Sequence, residues 1–343
     1  MAVYTMVARG FLGSTIGGIR FFDLQGEMIL NKPAEIRFSM PRSDLNMYTE
    51  ATFGPLKTEI WLYRDDVLIF NGPIWELRVS TDSKVSVVCR DMSSRLSLRI
   101  VRDSWTLSGT TAAIAANIVG STLNLINGDL DITLYQNVSG TPPTLYYTPK
   151  YGQTIMAVLD DLVEAGMEWD MYPYGTLSEN ALNLYTPSLY RATDTTGLYY
   201  GSGILKYNLS YMGNAMANYV VATGKEIQSD PYVNTDSRAI YMNIERVESF
   251  SDIENKTVLN TMAGNILSRR LSPRTFPQFV INPETTNPFE GGINKGAEFQ
   301  VVIDDGYVNI NEQFRCDGFQ FTVGSQGNES FNIYGSAKQE VVI

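Results

Sequence analysis

Between Thr58 and Arg90 the chain passes through four apolar segments separated by short turn-forming clusters, and this stretch limits the possible fold more than any other. Thr58 to Arg64 reads Thr-Glu-Ile-Trp-Leu-Tyr-Arg, Val67 to Phe70 follows the pair Asp65-Asp66, and two alternating runs, Ile74 to Ser80 and Val85 to Arg90, come after Asn71-Gly72-Pro73. Successive side chains of a strand point to opposite faces, so Trp61 and Tyr63 share one face while Ile60 and Leu62 share the other. Both faces are apolar, which places the segment inside a sheet covered on both sides. Asp65-Asp66 suits a tight reversal, Asn71-Gly72-Pro73 a second turn and Thr81-Asp82-Ser83 a third, so the expectation is a meander of four short strands on which the rest of the chain packs.

A chain of 343 residues exceeds what one hydrophobic core usually serves, and two or three domains are expected. Its 20 Tyr and 15 Phe, with 18% charged residues, describe a folded, strand-rich protein. The formal charge of -11 argues against phosphate backbones as a ligand. Cys89 and Cys316 lie far apart in apolar strand patterns, where an unpaired thiol behaves as a small hydrophobe, and the sequence leaves their pairing open. Met1 to Gly18 carries Arg9 and lacks the apolar core of a signal peptide, and no stretch has the length that spans a bilayer; the expectation is a soluble protein made inside the cell, without a membrane segment.

In chain order, Val3–Ala8, Ile19–Leu24 and Glu35–Met40 read as strands, the last alternating Ile36, Phe38 and Met40 against Glu35, Arg37 and Ser39. With the meander they give an all-β domain over residues 1–104, of barrel type because many short strands follow one another without a helix. From Trp105 the pattern changes. Thr110 can cap a helix over Ala112–Val119, and Ile155, Val158, Leu159, Leu162 and Val163 form one stripe of a second helix stopped by Gly166, with Asp160, Asp161 and Glu164 opposite. Strands over Met167–Tyr172 and Ala181–Tyr185, and a loop at Ser139 to Pro143, complete a small α/β insert over residues 105–203. Residues 204–343 return to β, with strands at Ile204–Tyr211, Asn218–Ala222, Ile240–Glu245, Phe299–Ile303, Phe314–Val323 and Glu329–Tyr334. One long helix over 255–271 interrupts them, with Arg269 and Arg270 at its carboxyl end and Pro273 as its stop. The fold class expected is mainly β with an α+β insert: two β-barrel domains and a small mixed α/β domain, the two β domains sharing one core topology.

The chain contains no histidine, which removes Ser-His-Asp and Cys-His nucleophile systems and every imidazole metal site. A glycosidase needs only two carboxylates, and Glu164, Glu168 and Asp170 lie near Trp169, a residue able to stack on a sugar. The helical spacing already explains the acidic face, and Trp169 reads better as core. Asn127-Gly128-Asp129-Leu130-Asp131 and Asp304-Asp305-Gly306 offer oxygen ligands but lack the spacing of a calcium loop and read as turns. Gly10, Gly13, Gly17 and Gly18 do not form a dinucleotide fingerprint. No catalytic, cofactor or metal residue is assigned, and the candidate interface residues are the loop-edge aromatics Tyr146, Tyr147, Tyr151, Tyr199 and Tyr200.

The aromatic strand, the Arg64-Asp65 turn, Asn71-Gly72-Pro73-Ile74 and the ending Cys89-Arg90-Asp91, together with Asn218 to Gly224, Arg246 to Asp252 and the helix Thr257 to Arg270, resemble tail hub or minor tail proteins of tailed bacteriophages, the baseplate-hub type of siphophage tail protein. That resemblance implies two barrels of the tail-tube type in one chain, and three chains closing into a homotrimeric ring whose six barrels continue the tube. It also implies a structural virion protein at the phage tail tip, assembled in the host cytoplasm, without enzyme activity or cofactor. Its implied neighbours are the distal tail protein, the tape-measure protein and central tip or fibre proteins, and phage DNA passes through the lumen without specific binding. An acidic protein suits such a conduit, because a negative wall does not retain the genome. A receptor- or carbohydrate-binding tail protein and, behind it, a cell-wall hydrolase are the competing readings.

Overall fold

The computed structural model describes residues 2–11, 14–49, 52–125, 130–140, 142, 144–173, 180–186, 197–250, 253–268, 270–271, 274–275, 277–290, 293–324 and 327–337. The first part holds β1 (Tyr4–Gly10), β2 (Thr15–Gly18), β3 (Phe22–Ile29), β4 (Glu35–Pro41), the helical turn α1 (Arg42–Leu45), β5 (Thr58–Arg64), β6 (Val67–Val79) and β7 (Lys84–Arg90). β5 is buried along nearly its whole length between β1 and β6, as its two apolar faces require. Asp65 and Asp66 both take positive φ, 47° and 64°, the backbone of a two-residue reversal whose twist matches the flanking strands.

Asn71-Gly72-Pro73 is not a turn. The expected second and third strands of the meander are one 13-residue strand, β6, whose first part pairs with β5 and whose second part pairs with β7. A Cβ on Gly72 would lie 1.9 Å from the Arg90 carbonyl oxygen, so glycine is required by close backbone approach and not by a reversal. Pro73, which has no N–H to donate, stands next to the point where the strand changes partner. Ile19 to Phe21 likewise lie outside any strand; β3 begins at Phe22, and its register puts Leu24, Gly26 and Met28 on the buried face.

A short 3-10 segment, Met92–Leu98, leads into β8 (Leu107–Gly109), α2 (Thr111–Leu123), β9 (Ile132–Val138), β10 (Leu145–Tyr147), α3 (Ile155–Glu164), β11 (Glu168–Pro173) and β12 (Asn180–Thr186). Thr110 and Thr154 cap the two helices, their hydroxyls accepting from the N–H groups of Ala113 and Ala157. Ile155, Val158, Leu159 and Leu162 are buried in a core with Ile114, Ile118, Trp169 and Leu182, which is the stripe the spacing predicts. The parallel pairing of β9 with β12 has no counterpart in the sequence reading.

The remainder comprises β13 (Leu198–Tyr199), β14 (Ile204–Asn208), β15 (Tyr211–Met212), β16 (Tyr219–Thr223), β17 (Tyr232–Val233), α4 (Thr235–Tyr241), β18 (Glu245–Ser249), α5 (Lys256–Ser268), β19 (Arg274–Thr275), β20 (Gln278–Ile281), β21 (Glu298–Asp304), β22 (Asn309–Val323) and β23 (Glu329–Ala337). Ile240 belongs to helix α4, capped by Asn234, and the strand expected at Ile240–Glu245 begins only at Glu245. α5 buries Leu259, Ala263 and Ile266 on the separate sheet β17-β16-β18, not on the large sheet. Arg269 and Pro273 lie outside the described residues.

The large sheet has 13 strands and one continuous core. Its order from one side is β3-β4-β7-β6-β5-β1, and from the other β14-β20-β23-β22-β21-β13. Strand for strand these are the same order in the same chain direction, with antiparallel pairing throughout except at the last step, where β13 and β21 run parallel and β1 and β5 antiparallel. The long strands β6 and β22 correspond, and each carries a one-residue irregularity against its hairpin partner, between Ile74 and Glu76 and between Cys316 and Gly318. The β16–α5 segment is thus an insertion between β14 and β20, where the first half has only the turn from β3 to β4. Among the described residues no strand pairing joins β1 or β2 to β3, or β13 to β14, so closure of either half into the expected barrel is not detected.

Candidate functional site

The two halves meet where β22 runs antiparallel to β3, from Gly318 opposite Ile29 to Val323 opposite Leu24. Phe321 lies over Gly26, where any Cβ would overlap its ring. Across this junction Arg64 forms a two-pronged ion pair with Glu329, Nε to Oε1 at 2.7 Å and Nη2 to Oε2 at 3.0 Å, while its Nη1 reaches Glu290 at 2.6 Å and the Tyr4 hydroxyl donates to Glu329. Burial works against the Glu329 charge, but the hydrogen bonds from Arg64 and Tyr4 hold its pKa below the usual range. Planar pairing of this kind fixes orientation as well as distance.

The α/β unit is tied to the same junction. Glu168 takes both prongs of Arg315, one at 2.7 Å, and the neighbouring carboxylate, Asp170, pairs with Lys295, both side chains being nearly inaccessible. Between them the Trp169 N–H donates to the side chain of Asn31 at 2.7 Å, and Asn31 donates back to the Trp169 carbonyl. Asn31 adopts φ 62°, the left-handed turn from β3 to β4. The carboxylates flanking Trp169 are therefore clamps, and Trp169 itself is fully buried. A cavity of about 260 Å³ lies beside Lys295, walled by Asp91, Tyr172, Asn294 and Phe289 among others. Burial pushes the Asp91 carboxyl up to about 6, against the downward pull of hydrogen bonds from Ser93 and Ala34 and of the Lys295 charge. A raised acid contributes stability below its unfolded pKa and loses it as pH rises through about 6. Asp91→Asn should therefore gain on the parent by roughly 2–3 kcal/mol between pH 4 and 8; denaturant titrations at several pH values measure the difference, and parallel curves would contradict it.

The candidate tyrosines fall in two separate places. Tyr146 and Tyr151 are exposed at the rim of the α/β unit, where the Tyr147 hydroxyl donates to Asp161 at 2.7 Å. Tyr199 and Tyr200 are exposed beside β21, and the Tyr200 ring meets Tyr207 edge-on. Asp304 to Gly306 form a turn in which Asp305 Oδ1 accepts from the Val308 N–H, with φ 91° at Gly306; Asn127, Gly128, Asp129 and Gly13 lie outside the described residues. Cys89 and Cys316 are buried free thiols, both with pKa raised by burial. Among the described residues no acidic or cysteine cluster could hold a metal ion, and no helix is long and apolar enough to cross a membrane.

Several strand edges bear no partner strand among the described residues, those of β2 and β13 among them, and two stand at matched places in the two halves. One is the outer edge of β14 after Ile204, whose one partner strand is β20; the other is the stretch of β6 after Ile74, on the side where β5 has ended. Val79 and Leu205 are each 49% exposed there. Such edges are surfaces for strand addition, and sequence alternation alone does not reveal them.

No protein-family model matches the chain, and no curated protein sequence matches it. Solved structures do. The 43 kDa tail protein of prophage MuSo2 from Shewanella oneidensis superposes with a TM-score of 0.70 at 12% identity, over 98% of each chain. The tail protein from Neisseria meningitidis MC58 gives 0.68 at 14% identity, over 98% of this chain and 97% of that one. Prophage tail protein gp18 from Listeria monocytogenes EGD-e gives 0.64 at 11%, over 98% and 96%. At these identities the likeness is one of fold, and along nearly its whole length the chain has the fold of these phage tail proteins.

Proposed function

We propose that this chain is a structural tail protein of a phage virion, the hub at the distal end of the tail. Its two sheet halves act as the tail-tube-type barrel domains, and three chains close into a ring presenting six of them in continuation of the tube. The observation that carries this reading is the repeated strand order, β3-β4-β7-β6-β5-β1 and β14-β20-β23-β22-β21-β13, within one sheet and one chain. A chain that carries the same unit twice lets three copies match a six-fold tube. The fold shared with prophage tail proteins supports the virion setting. The α/β unit and the β16–α5 insertion are then the parts that contact the distal tail protein, the tape-measure protein and the tip or fibre proteins, with Tyr146, Tyr147, Tyr151, Tyr199 and Tyr200 as candidate interface residues. The net charge of -11 suits a wall past which DNA moves without being held.

The glycosidase reading loses the residues that recommended it, since Trp169 is sealed in the core and Glu168 and Asp170 are engaged by Arg315 and Lys295. Gold-labelled antibody against the chain is expected to mark the end of intact tails away from the head. Label along the tube, or none on tails, would overturn the hub assignment.

A further inference from the structure

The open edges have counterparts inside the chain that are not open. By the matched strand order β6 corresponds to β22, and their hairpin registers align them residue by residue: Leu77 opposite Val87 and Val79 opposite Val85 correspond to Phe319 opposite Ile333 and Phe321 opposite Phe331. On β22 the edge beyond the end of β21 is occupied by β3. The corresponding edge of β6, beyond the end of β5, carries no strand. The counterpart of β3 is β14, and it too lacks a strand on the edge that β3 gives to β22.

From this we infer that the end of β6 of one protomer pairs with the stretch from the end of β14 into β15 of the next protomer, antiparallel, as β22 and β3 do within the chain; Tyr211 and Met212 of β15 continue against Thr275 and Arg274 the register that Asn208 holds against Gln278. The register follows. Asn208 opposes Gln278 as Gln25 opposes Arg37, and Gln278 and Arg37 hold equivalent places against Tyr334 and Val88. Within the chain Thr322 faces Gln25 and Phe321 faces Gly26. Between chains Ser80 therefore faces Asn208, and Val79 faces Leu209.

Side-chain volumes agree. At the internal junction a large ring covers a residue with no side chain, Phe321 over Gly26, and Phe321 is only 1% exposed. At the proposed junction two mid-sized aliphatics share the space, and Val79 remains half exposed in the single chain while Leu209 is half buried. An exposed aliphatic at a position whose twin is core is what a missing neighbour leaves behind. Repeating the pairing around an axis makes every junction alike, internal and external in alternation, and leaves neither of these two edges open. The inference rests on the ring reading above and adds which residues close it.

The test is Val79→Cys with Leu209→Cys in the full chain, carried by intact phage, since residues facing each other in antiparallel strands stand close enough for a disulfide. The native thiols Cys89 and Cys316 are buried and give a silent background. Mild oxidation is expected to yield species of two and three linked chains and no larger ones, which reduction removes and neither single variant gives. Tails that hold three copies in a ring but show no linkage would overturn this pairing and leave the ring intact; tails without a three-copy ring would overturn both. A density map of parent tails reads the same contact without substitution: the backbone at Arg78–Ser80 should lie about 4.8 Å from Asn208–Ser210 of the adjacent copy, and any other separation contradicts the pairing even if the double variant fails to assemble.

Discussion

Lys295→Ala is expected to destabilise the protein by about 3–5 kcal/mol, the cost of leaving a buried carboxylate without its cation. Lys295 and Asp170 are 6% and 1% exposed at the side chain, with Asp91 close enough for the ammonium to lower its pKa and the Tyr172 ring 5.1 Å away. Burial alone would lower the Lys295 pKa, yet Asp170 and Tyr172 raise it on balance, so the ammonium is charged at neutral pH. The pair also joins two parts of the fold, since Asp170 sits on β11 of the α/β unit and Lys295 precedes β21 of the second half. The double substitution Asp170→Leu with Lys295→Met removes both charges and should recover most of the loss. Equilibrium denaturation of the three proteins decides it; a single variant within 1 kcal/mol of the parent would mean that the pair is not sealed.

The second large effect is expected from Leu159→Asp. Leu159 is fully buried in the core formed by α2, α3 and the sheet β11-β12-β9, with Trp169 in the same cluster. A carboxylate there has no partner, and the cost, above about 4 kcal/mol, exceeds what a small unit of this kind supplies. Because the large sheet has its own core, the expectation is local loss of the α/β unit, read as a red shift of the tryptophan emission as Trp169 leaves its core, with strand content retained in far-UV circular dichroism. Unchanged emission and an unchanged melting curve would show that α3 packs elsewhere.

What could be read from the residues follows how local each determinant is. Asp65-Asp66, the alternation of β4, the Thr110 cap and the stripe on α3 are decided within a few residues, and all are found in the structure. Gly72 deceived because the same residue serves a reversal and a close approach, and only the position of Arg90, eighteen residues on, separates the two. Ile240 deceived because an exposed apolar residue at the end of a short helix reads like a strand start. The clamps Arg315–Glu168 and Lys295–Asp170 join residues more than a hundred positions apart, and nothing in either segment names its partner. The repeat was legible as two meanders but not as a strand order, because β16–α5 lies between β14 and β20 and hides the correspondence.

The central claim is that one chain supplies two equivalent positions around the tail axis. Electron cryomicroscopy of intact tails, reconstructed without imposed symmetry, tests it most directly. The account predicts three copies of this chain around the axis at the distal end, with six sheet halves in near six-fold arrangement and the end of β6 of each copy against the β14–β15 stretch of the next. Six copies around the axis, or a single one, would contradict it.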